Sequence, residues 1–574
     1  MTTRTLLVAL LAAASATLSL SAWQGQRTSP PKRFTVVEAG IPELRVAMER
    51  RRVTSRQIVT AYLTRIAMYE DTLHAALAVN RRALQEADER DRERAAGRVR
   101  GPLHGIPIAL KDNIHTTDMP TTGGALAFEG FVPSYEATLT RNLREAGAII
   151  IAKSGMTELA NWVAGAMPGN YNAIGGYGMN PYDPRKDPRP ETFDGRPAMT
   201  PAGSSSGIGT AANLWAANVG TETSGSILSP ANQLMLAAVK PTVGRVSRYG
   251  VIPIVADQDT PGPMAKTVTD AAILLGVLEG AAADPHDPAT ARCPPPPGRD
   301  YTRYLRRGRL KGARIGVPRA SFTGPIGRAL DKNRGASRTD AEPGETQVFD
   351  EAVAVLKNQG ATVIDPADIP SMVDPDPSRN LLLWPGCSGA NNAKGKDEGC
   401  SVVLKYGMKR DFTAWLASLG PTAPVRSLTE LRAWNTAHER AGAIKYGQSQ
   451  LDISDEMDVD VDRDRYEADR KKDLALTADH GIDEVMKAQR LDALMFPGSG
   501  SALVASKPGY PTVIVPFGLI PNRPFPPFPS TFDANPQPFG VGFTGTACSE
   551  PRLLEIAYAF EQATRRRVAP AGAP

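Results

Sequence analysis

The chain alternates between short apolar runs and amphipathic segments, and this alternation constrains its fold more than any other feature. The apolar runs suit buried strands, and the segments between them carry apolar residues at helical spacing. The predicted elements are a capped helix beginning at 54–57, strands at 106–110 and 148–152 around a helix at 137–145, strands at 314–317 and 361–364 around a helix at 349–356, strands at 493–496 and 512–515, and a closing helix at 553–564. Such alternation favours an α/β fold in which helices cover both faces of a β-sheet.

The first 22 residues have the pattern of a secretory signal peptide. Arg4 supplies a positive charge, residues 6–20 are uncharged, and small residues follow near Ser21 and Ala22. We therefore predict cleavage after residue 21 or 22, a polar linker at 23–34, and a secreted or periplasmic location. The apolar run is short and rich in Ala and Ser, and the sequence has no other apolar window of about 18 residues, so no stable membrane span is expected after cleavage.

Charge and cysteine content exclude further classes of protein. A formal net charge of +5 over 574 residues is too dilute for a nucleic-acid-binding protein. The four cysteines form no CxxC pair and the six histidines are scattered, so no metal site is expected. Cys387 and Cys400 bracket a loop of small and polar residues, which could close as a disulfide or hold two free thiols; export favours the disulfide. Cys293 and Cys548 are predicted to be free thiols, Cys548 as a buried small apolar residue.

Three motifs between residues 101 and 230 carry candidate chemistry. The first is an apolar strand that ends at Lys111; a buried lysine tends to lose its proton and act as a base, although a lysine often only marks the solvent end of a strand. The second, GSSSG at 203–207, suits a tight turn. The third, at 220–230, is a hydroxyl-rich turn whose backbone N–H groups could converge on an oxyanion. Each motif alone fits an ordinary polar loop, but the three in this order are specific.

With these motifs the chain resembles the amidase signature family. The resemblance rests on GPLHGIPIALKDNI at 101–114, AGSSSG at 202–207 and GTETSGSILSPA at 220–231, and continues in KPTVGRVSRYGVIP at 240–253, LDALMFP at 491–497, GYPTVIVPFG at 509–518 and TACSEPRLLEIAYAFEQAT at 546–564. The segments at 411–420 and 437–442 look like those of the subgroup that includes bacterial peptide amidases. The resemblance implies one large α/β domain over residues 35–570, with a mixed β-sheet core covered by helices on both faces. Its signature core would span about 101–270, and a polar insertion is predicted at about 324–344.

The resemblance also implies a catalytic triad. Ser226 matches the family's nucleophile, Lys111 its base, and Ser204 the bridging serine, which in the family sits on a cis peptide bond. Neutral Lys111 would draw the proton of Ser226 through the hydroxyl of Ser204, and an acyl-enzyme on Ser226 would then be hydrolysed by water. The oxyanion would be held by backbone N–H groups of Thr223, Ser224, Gly225 and Ser226. The expected partner is a small-molecule or peptide amide, cleaved to an acid plus ammonia or an amine, with no metal or organic cofactor.

Several departures leave alternatives open. Ser224 and Leu228 stand where the family often has Gly and Arg, and the 22-position spacing from Ser204 to Ser226 is about two residues short. If the loss falls in the helix that follows the turn, it amounts to a shift of about 3 Å and a rotation of about 200°. Ser205 is then an alternative bridging and binding residue, and an exported amide-binding pseudoenzyme is an alternative function.

Two further readings concern other enzyme classes. Residues 203–207 also fit the G-x-S-x-G elbow of α/β hydrolases, which would require a histidine such as His480. One component of the tRNA-dependent amidotransferases shares the signature, but export argues against that role. The oligomeric state cannot be derived from the sequence.

Overall fold

The computed structural model of the protein describes residues 34–165, 167–192, 194–201, 206–322, 343–388, 399–524 and 526–573. The predicted signal peptide and nearly all of the linker lie outside these residues. So do Ser204, Ser205 and most of the insertion predicted at 324–344. Residues Val36–Pro574 form one compact unit.

A large mixed β-sheet carries the fold. The strands are β1 (Ala76–Val79), β2 (Pro107–Lys111), β3 (Ile149–Ser154), β4 (Tyr171–Asn172), β5 (Gly176–Tyr177), β6 (Ala217–Glu222), β7 (Ala237–Lys240), β8 (Thr260–Ala265), β9 (Arg314–Gly316), β10 (Thr362–Ile364), β11 (Ala493–Pro497), β12 (Thr512–Ile520) and β13 (Gln537–Thr544). Among the described residues, 11 strands form one sheet in the order β1-β3-β2-β6-β8-β7-β12-β13-β11-β9-β10, and β4 pairs with β5 separately. Strands β3, β2 and β6 run parallel, as do β11, β9 and β10, and the strands between these groups pair antiparallel. The predicted α/β class with a mixed sheet is confirmed.

The described residues also form 17 α-helices. They are α1 (Ile41–Glu49), α2 (Ser55–Leu73), α3 (Ala83–Ala95), α4 (Thr138–Glu145), α5 (Ile208–Ala211), α6 (Leu228–Gln233), α7 (Val268–Leu278), α8 (Pro343–Asn358), α9 (Pro370–Val373), α10 (Val403–Gly407), α11 (Thr413–Ser418), α12 (Leu428–Ala437), α13 (Ser449–Asp455), α14 (Arg463–Leu474), α15 (Asp483–Gln489), α16 (Ala502–Ala505) and α17 (Glu550–Thr564), with π-helical turns at Met408–Phe412 and Ala475–Ile482. Helix α7 packs on β8, and α17 packs on β12. None of the helices in the described part of the chain is both long and apolar enough to cross a membrane.

Local sequence signals explain several element boundaries. Helix α2 begins with the predicted capping box, in which the Thr54 hydroxyl accepts the N–H of Gln57 at 3.2 Å and the Gln57 side chain accepts the N–H of Thr54 at 2.9 Å. These bonds satisfy two N–H groups that the first helical turn leaves without partners. The predicted strands at 106–110 and 148–152 are observed as β2 and β3, each shifted or extended by one or two residues.

The apolar core lies in two main clusters. The larger one surrounds the sheet and includes Ile108, Val239 and Phe543, all fully buried. The second cluster contains Trp162, Ile254 and the aromatic residues of the π-helical turn and α11. Because this second cluster lies beside the candidate site, it fixes one wall of the site by close packing.

The structure pairs all four cysteines. Cys387 and Cys400 form the predicted disulfide, with Cα atoms 5.0 Å apart. Cys293 and Cys548 form a second disulfide, with Cα atoms 5.5 Å apart across 255 positions of sequence, so the prediction that they are free thiols is wrong. Cys548 is only half-buried and lies, with a φ of 64°, in the turn before α17, which brings it to Cys293. Such a long sequence separation leaves no local signal for the pairing.

Candidate active site

Lys111 is the last residue of β2, which lies between β3 and β6 in the sheet. Its side chain is 0% exposed. Its Nζ donates to the backbone carbonyl of Thr221 at 3.0 Å and to the Thr221 hydroxyl at 2.9 Å. Thr221 belongs to β6, the strand that runs directly into the loop bearing Ser226, so sheet pairing brings the amine to the base of that loop.

Burial determines the protonation of Lys111. Desolvation lowers its pKa to about 7, although the nearby carboxylates of Asp259 and Glu222 raise it. An amine with this pKa is close to half neutral at pH 7, whereas an ordinary lysine is almost fully protonated. Lys111 can therefore accept a proton near neutral pH, as a general base must.

The segment from Thr223 to Ser226 connects β6 to helix α6. Gly225 has a φ of 91°, a left-handed conformation that favours glycine. At the start of α6, a Glu222 carboxylate oxygen accepts the N–H groups of Ile227 at 2.8 Å and Leu228 at 2.9 Å. These backbone donors would otherwise lack partners, so the carboxylate fixes the chain immediately after Ser226.

Ser226 lines a cleft of about 350 Å³. The other lining residues are Ala160, Asn161, Trp162, Thr223, Ser224, Gly225, Ser229, Ile254, Leu404, Gln450, Ser499 and Ala502. None of these described side chains is ionisable as an acid or a base in the physiological range. The cleft can thus hold an uncharged amide between apolar walls and a few hydroxyl and carboxamide groups.

One wall of the cleft is built from strained backbone. Leu159, Ala160 and Asn161 have consecutive φ values of 41°, 56° and 72°, although none of them is glycine. Left-handed conformations cost non-glycine residues roughly 1 to 3 kcal/mol each and cluster at functional sites. The surrounding packing therefore maintains this wall against its intrinsic preference.

The structure places most of the predicted site residues around the cleft. Ser226 is half-buried, Thr223 is buried and Ser224 is exposed. Ser204 and Ser205 lie outside the described residues, so both bridging assignments stay predictions. The next residue, Ser206, is buried, with its hydroxyl 3.4 Å from the sulfur of Met264.

His480, the histidine considered for an α/β-hydrolase mechanism, is not among the residues that line the cleft. One ring nitrogen lies 2.7 Å from a carboxylate oxygen of Asp374, and the other lies 2.8 Å from Glu484. The described contacts of His480 are thus with carboxylates outside the lining of the cleft. Within the described ranges, no group of three or more His, Cys, Asp or Glu side chains is arranged to hold a metal ion.

Sequence reasoning missed three polar residues of the site, which are Asn113, Thr221 and Asp259. Asn113 donates to the Thr221 hydroxyl at 3.0 Å, and both of these residues belong to motifs that could have indicated them. Asp259 accepts the Thr223 hydroxyl at 2.5 Å but lies in none of the motifs. Its contact with the site depends on the antiparallel pairing of β6 with β8, which the sequence does not reveal.

Comparisons with known proteins identify the family of the chain. The sequence model of the family described as Amidase matches residues 57–375. A probable amidase of Arabidopsis thaliana is 33% identical over 545 residues, which cover 94% of this chain and 92% of the relative. A component of the glutamyl-tRNA(Gln) amidotransferase of Thermosynechococcus vestitus is 30% identical over 537 residues, which cover 91% of this chain and 98% of that relative.

A solved structure extends the likeness to three dimensions. The native peptide amidase from Stenotrophomonas maltophilia is 36% identical and superposes with a TM-score of 0.76, over 94% of this chain and 99% of that one. Sequence and fold therefore agree over almost the whole length of both proteins. The chain belongs to the amidase family and is an amide-hydrolysing enzyme.

Proposed function

We propose that this protein is an exported amidase that cleaves a carboxylic or peptide amide by means of a triad of Ser226, Ser204 and Lys111. The observation that carries the proposal is the position of Lys111. Its buried amine has a pKa of about 7 and is bonded to Thr221, five residues before Ser226 on the same strand and loop. A serine hydroxyl needs such a base to become a nucleophile.

The reaction proceeds in two halves. Neutral Lys111 takes the proton of Ser226 through the hydroxyl of Ser204, and the Ser226 oxygen attacks the amide carbon. Backbone N–H groups of the loop from Thr223 to Ser226 hold the negative oxygen that forms. The proton returns through the same path to the leaving nitrogen, which departs as ammonia or an amine. Water then attacks the acyl-enzyme, releases the acid and restores Ser226.

The cleft and the relatives support an uncharged amide as substrate. The described residues that line the cleft contribute no charge next to Ser226. Asn161 and Gln450 offer carboxamide groups that can form hydrogen bonds with peptide groups. The likeness to the peptide amidase from Stenotrophomonas maltophilia supports a peptide amide among the possible substrates.

Export is supported by covalent structure. Both disulfides, Cys293–Cys548 and Cys387–Cys400, are of a kind that persists in oxidising compartments and is rare in the cytosol. N-terminal sequencing of the protein recovered from the producing cells tests the proposal. A start at residue 22 or 23 is expected, and a mature exported protein that still begins at Met1 or Thr2 contradicts it.

Ammonia release from a panel of aliphatic, aromatic and C-terminal peptide amides tests the activity. The wild type should release ammonia from at least one class, and Ser226→Ala should release none above background. Ser204→Ala should lose more activity than Ser205→Ala. If only Ser205→Ala loses most of its activity, Ser205 and not Ser204 is the bridging serine, and the assignment made across the shortened spacing is wrong.

The second candidate function is an amide-binding protein with a misaligned triad. It is favoured by one observation, the spacing of 22 positions from Ser204 to Ser226. On this alternative the wild type binds amides of the panel, measured by calorimetry, without releasing ammonia from any of them.

A further inference from the structure

Asp259 is a buried carboxylate with an unusual set of partners. It directly precedes β8 and is 8% exposed. One of its oxygens accepts the Thr223 hydroxyl at 2.5 Å. The other accepts the backbone N–H groups of Ile254 at 2.8 Å and Val255 at 2.9 Å. These three hydrogen bonds tie two segments of the chain to one side chain, and they are roughly twice as strong when the carboxyl is ionised as when it is neutral.

These partners belong to two different walls of the cleft. Thr223 begins the loop that leads to Ser226, and Ile254 lines the cleft from another segment. Asp259 itself is absent from the lining of that cleft, so it does not meet the substrate there. Asp259 instead links the two walls by hydrogen bonds from outside the cleft, to Thr223 of the loop and to the backbone at Ile254 and Val255.

We propose that Asp259 is a positioning residue, which holds the oxyanion-binding loop in its reactive orientation through the hydroxyl of Thr223. This inference rests on the proposed function, because the loop matters only if Ser226 is the nucleophile. A donor that is displaced by a fraction of an ångström stabilises the oxyanion less in the transition state, while the substrate still binds. The expected signature is a loss in kcat with little change in KM.

Asp259 also acts on Lys111 through space. Its negative charge raises the pKa of Lys111. Burial raises the pKa of Asp259 itself to about 7; Asp411 acts in the same direction, whereas the bonds from Thr223 and Ile254 and the charge of Arg248 lower it. Removing the charge should therefore make Lys111 neutral at lower pH.

The decisive variants alter the hydroxyl of Thr223. Thr223→Val keeps the shape of the side chain and removes its donor, and kcat should fall about 10- to 100-fold with KM within about threefold. Thr223→Ser returns the hydroxyl and should recover most of that loss. The matched control is Thr138→Val, because Thr138 donates to the buried carboxylate of Asp284 at 2.6 Å outside the cleft. That control should leave kcat unchanged.

Asp259→Asn provides a second readout. The amide can keep all three hydrogen bonds by accepting the two N–H groups and donating to Thr223, so the variant mainly removes charge. The acid limb of its kcat/KM profile should move to lower pH by less than about 1 pH unit, because Asp259, with a pKa of about 7, carries only part of a negative charge where Lys111 titrates. If this variant does not fold, the Thr223 pair and its control decide alone.

The outcomes separate the two proposals. Equal kcat for Thr223→Val and Thr138→Val, or a Thr223→Ser variant as slow as Thr223→Val, overturns the role of Asp259. An Asp259→Asn profile that does not move contradicts the charge effect of Asp259 on Lys111. If Ser226→Ala keeps its activity, the proposed mechanism fails instead, whatever the Thr223 variants do.

Discussion

Lys111 and Lys153 lie one register position apart on the parallel strands β2 and β3, and both residues are 0% exposed. Lys153 donates to the carbonyl of Pro120 at 2.9 Å and to the Thr121 hydroxyl at 2.6 Å, and its Nζ lies 3.4 Å from a carboxylate oxygen of Asp112. Lys111 has Thr221 as its partner and, in the described part of the chain, no carboxylate within 4.0 Å.

The pKa of each amine lies below that of an ordinary lysine, but the groups that oppose this lowering differ. Burial lowers the pKa of both, but Asp112 raises that of Lys153 through charge and a hydrogen bond. The carboxylates that act on Lys111 do so from a greater distance. The difference teaches that burial alone does not identify a base: a buried lysine with a counter-ion is a structural ion pair, and one with only neutral oxygens is available for proton transfer.

The largest expected effect separates the two lysines in catalysis. Lys111→Met should lower kcat about 10⁴- to 10⁶-fold, because under the proposed mechanism the nucleophile Ser226 loses its base. Lys153→Met should stay within about tenfold of the wild type per folded molecule. Rates normalised to folded protein, by circular dichroism, check this. Equal losses of kcat in the two variants would contradict the assignment of different roles to Lys111 and Lys153.

The second effect concerns stability. Lys153→Met should lower the free energy of unfolding by about 3 to 5 kcal/mol, because it leaves Asp112 as a buried charge without its counter-ion. Urea unfolding at pH 7 measures this change. Lys153→Met combined with Asp112→Asn is the control, and it should recover part of the loss.

Lys111→Met should instead raise the free energy of unfolding. The folded pKa of Lys111 is about 7 and the unfolded value is about 10.4, so the unfolded state binds more protons between these pH values. The free energy of unfolding of the wild type therefore decreases as the pH falls from 10 to 7, because only the unfolded state carries a proton on Lys111 over most of this range. Methionine carries no such cost, and the variant should exceed the wild type by a few kcal/mol at pH 7 and by little at pH 10. An advantage that does not depend on pH would contradict the assigned pKa.

The smallest expected effect concerns the pH profile of kcat/KM, whose midpoint should be the same in the wild type and in Lys153→Met. The kcat/KM of the wild type should rise with pH through a midpoint near 7, where Lys111 becomes neutral. Lys153→Met should show the same midpoint, because its charge is paired with Asp112. A midpoint above pH 9 in the wild type would mean that Lys111 is an ordinary lysine.

The sequence was sufficient where signals are local. The capping box of α2, the strands that end near Lys111 and Lys153, and the loop that leads to Ser226 all follow from residues within a few positions of one another. The family resemblance added roles for residues that already stood in motifs.

What could not be predicted depends on long-range pairing. Strand β8 contains Pro261 and Pro263, residues that argue against a strand inside a sheet, yet it lies between β6 and β7. Asp259 is 36 positions from Thr223, and the two residues meet only because β8 pairs with β6. No pattern in the neighbouring sequence encodes such a contact.

The bond between Cys293 and Cys548 changes what a break in the chain does to the molecule. A protease that cuts once between these positions, outside the loop closed by Cys387 and Cys400, produces two polypeptides that stay one covalent molecule. Strands β11, β12 and β13 would remain tethered to the part of the chain that carries Lys111 and Ser226. On a denaturing gel, a single nick would thus become visible as two bands only after the sample is reduced.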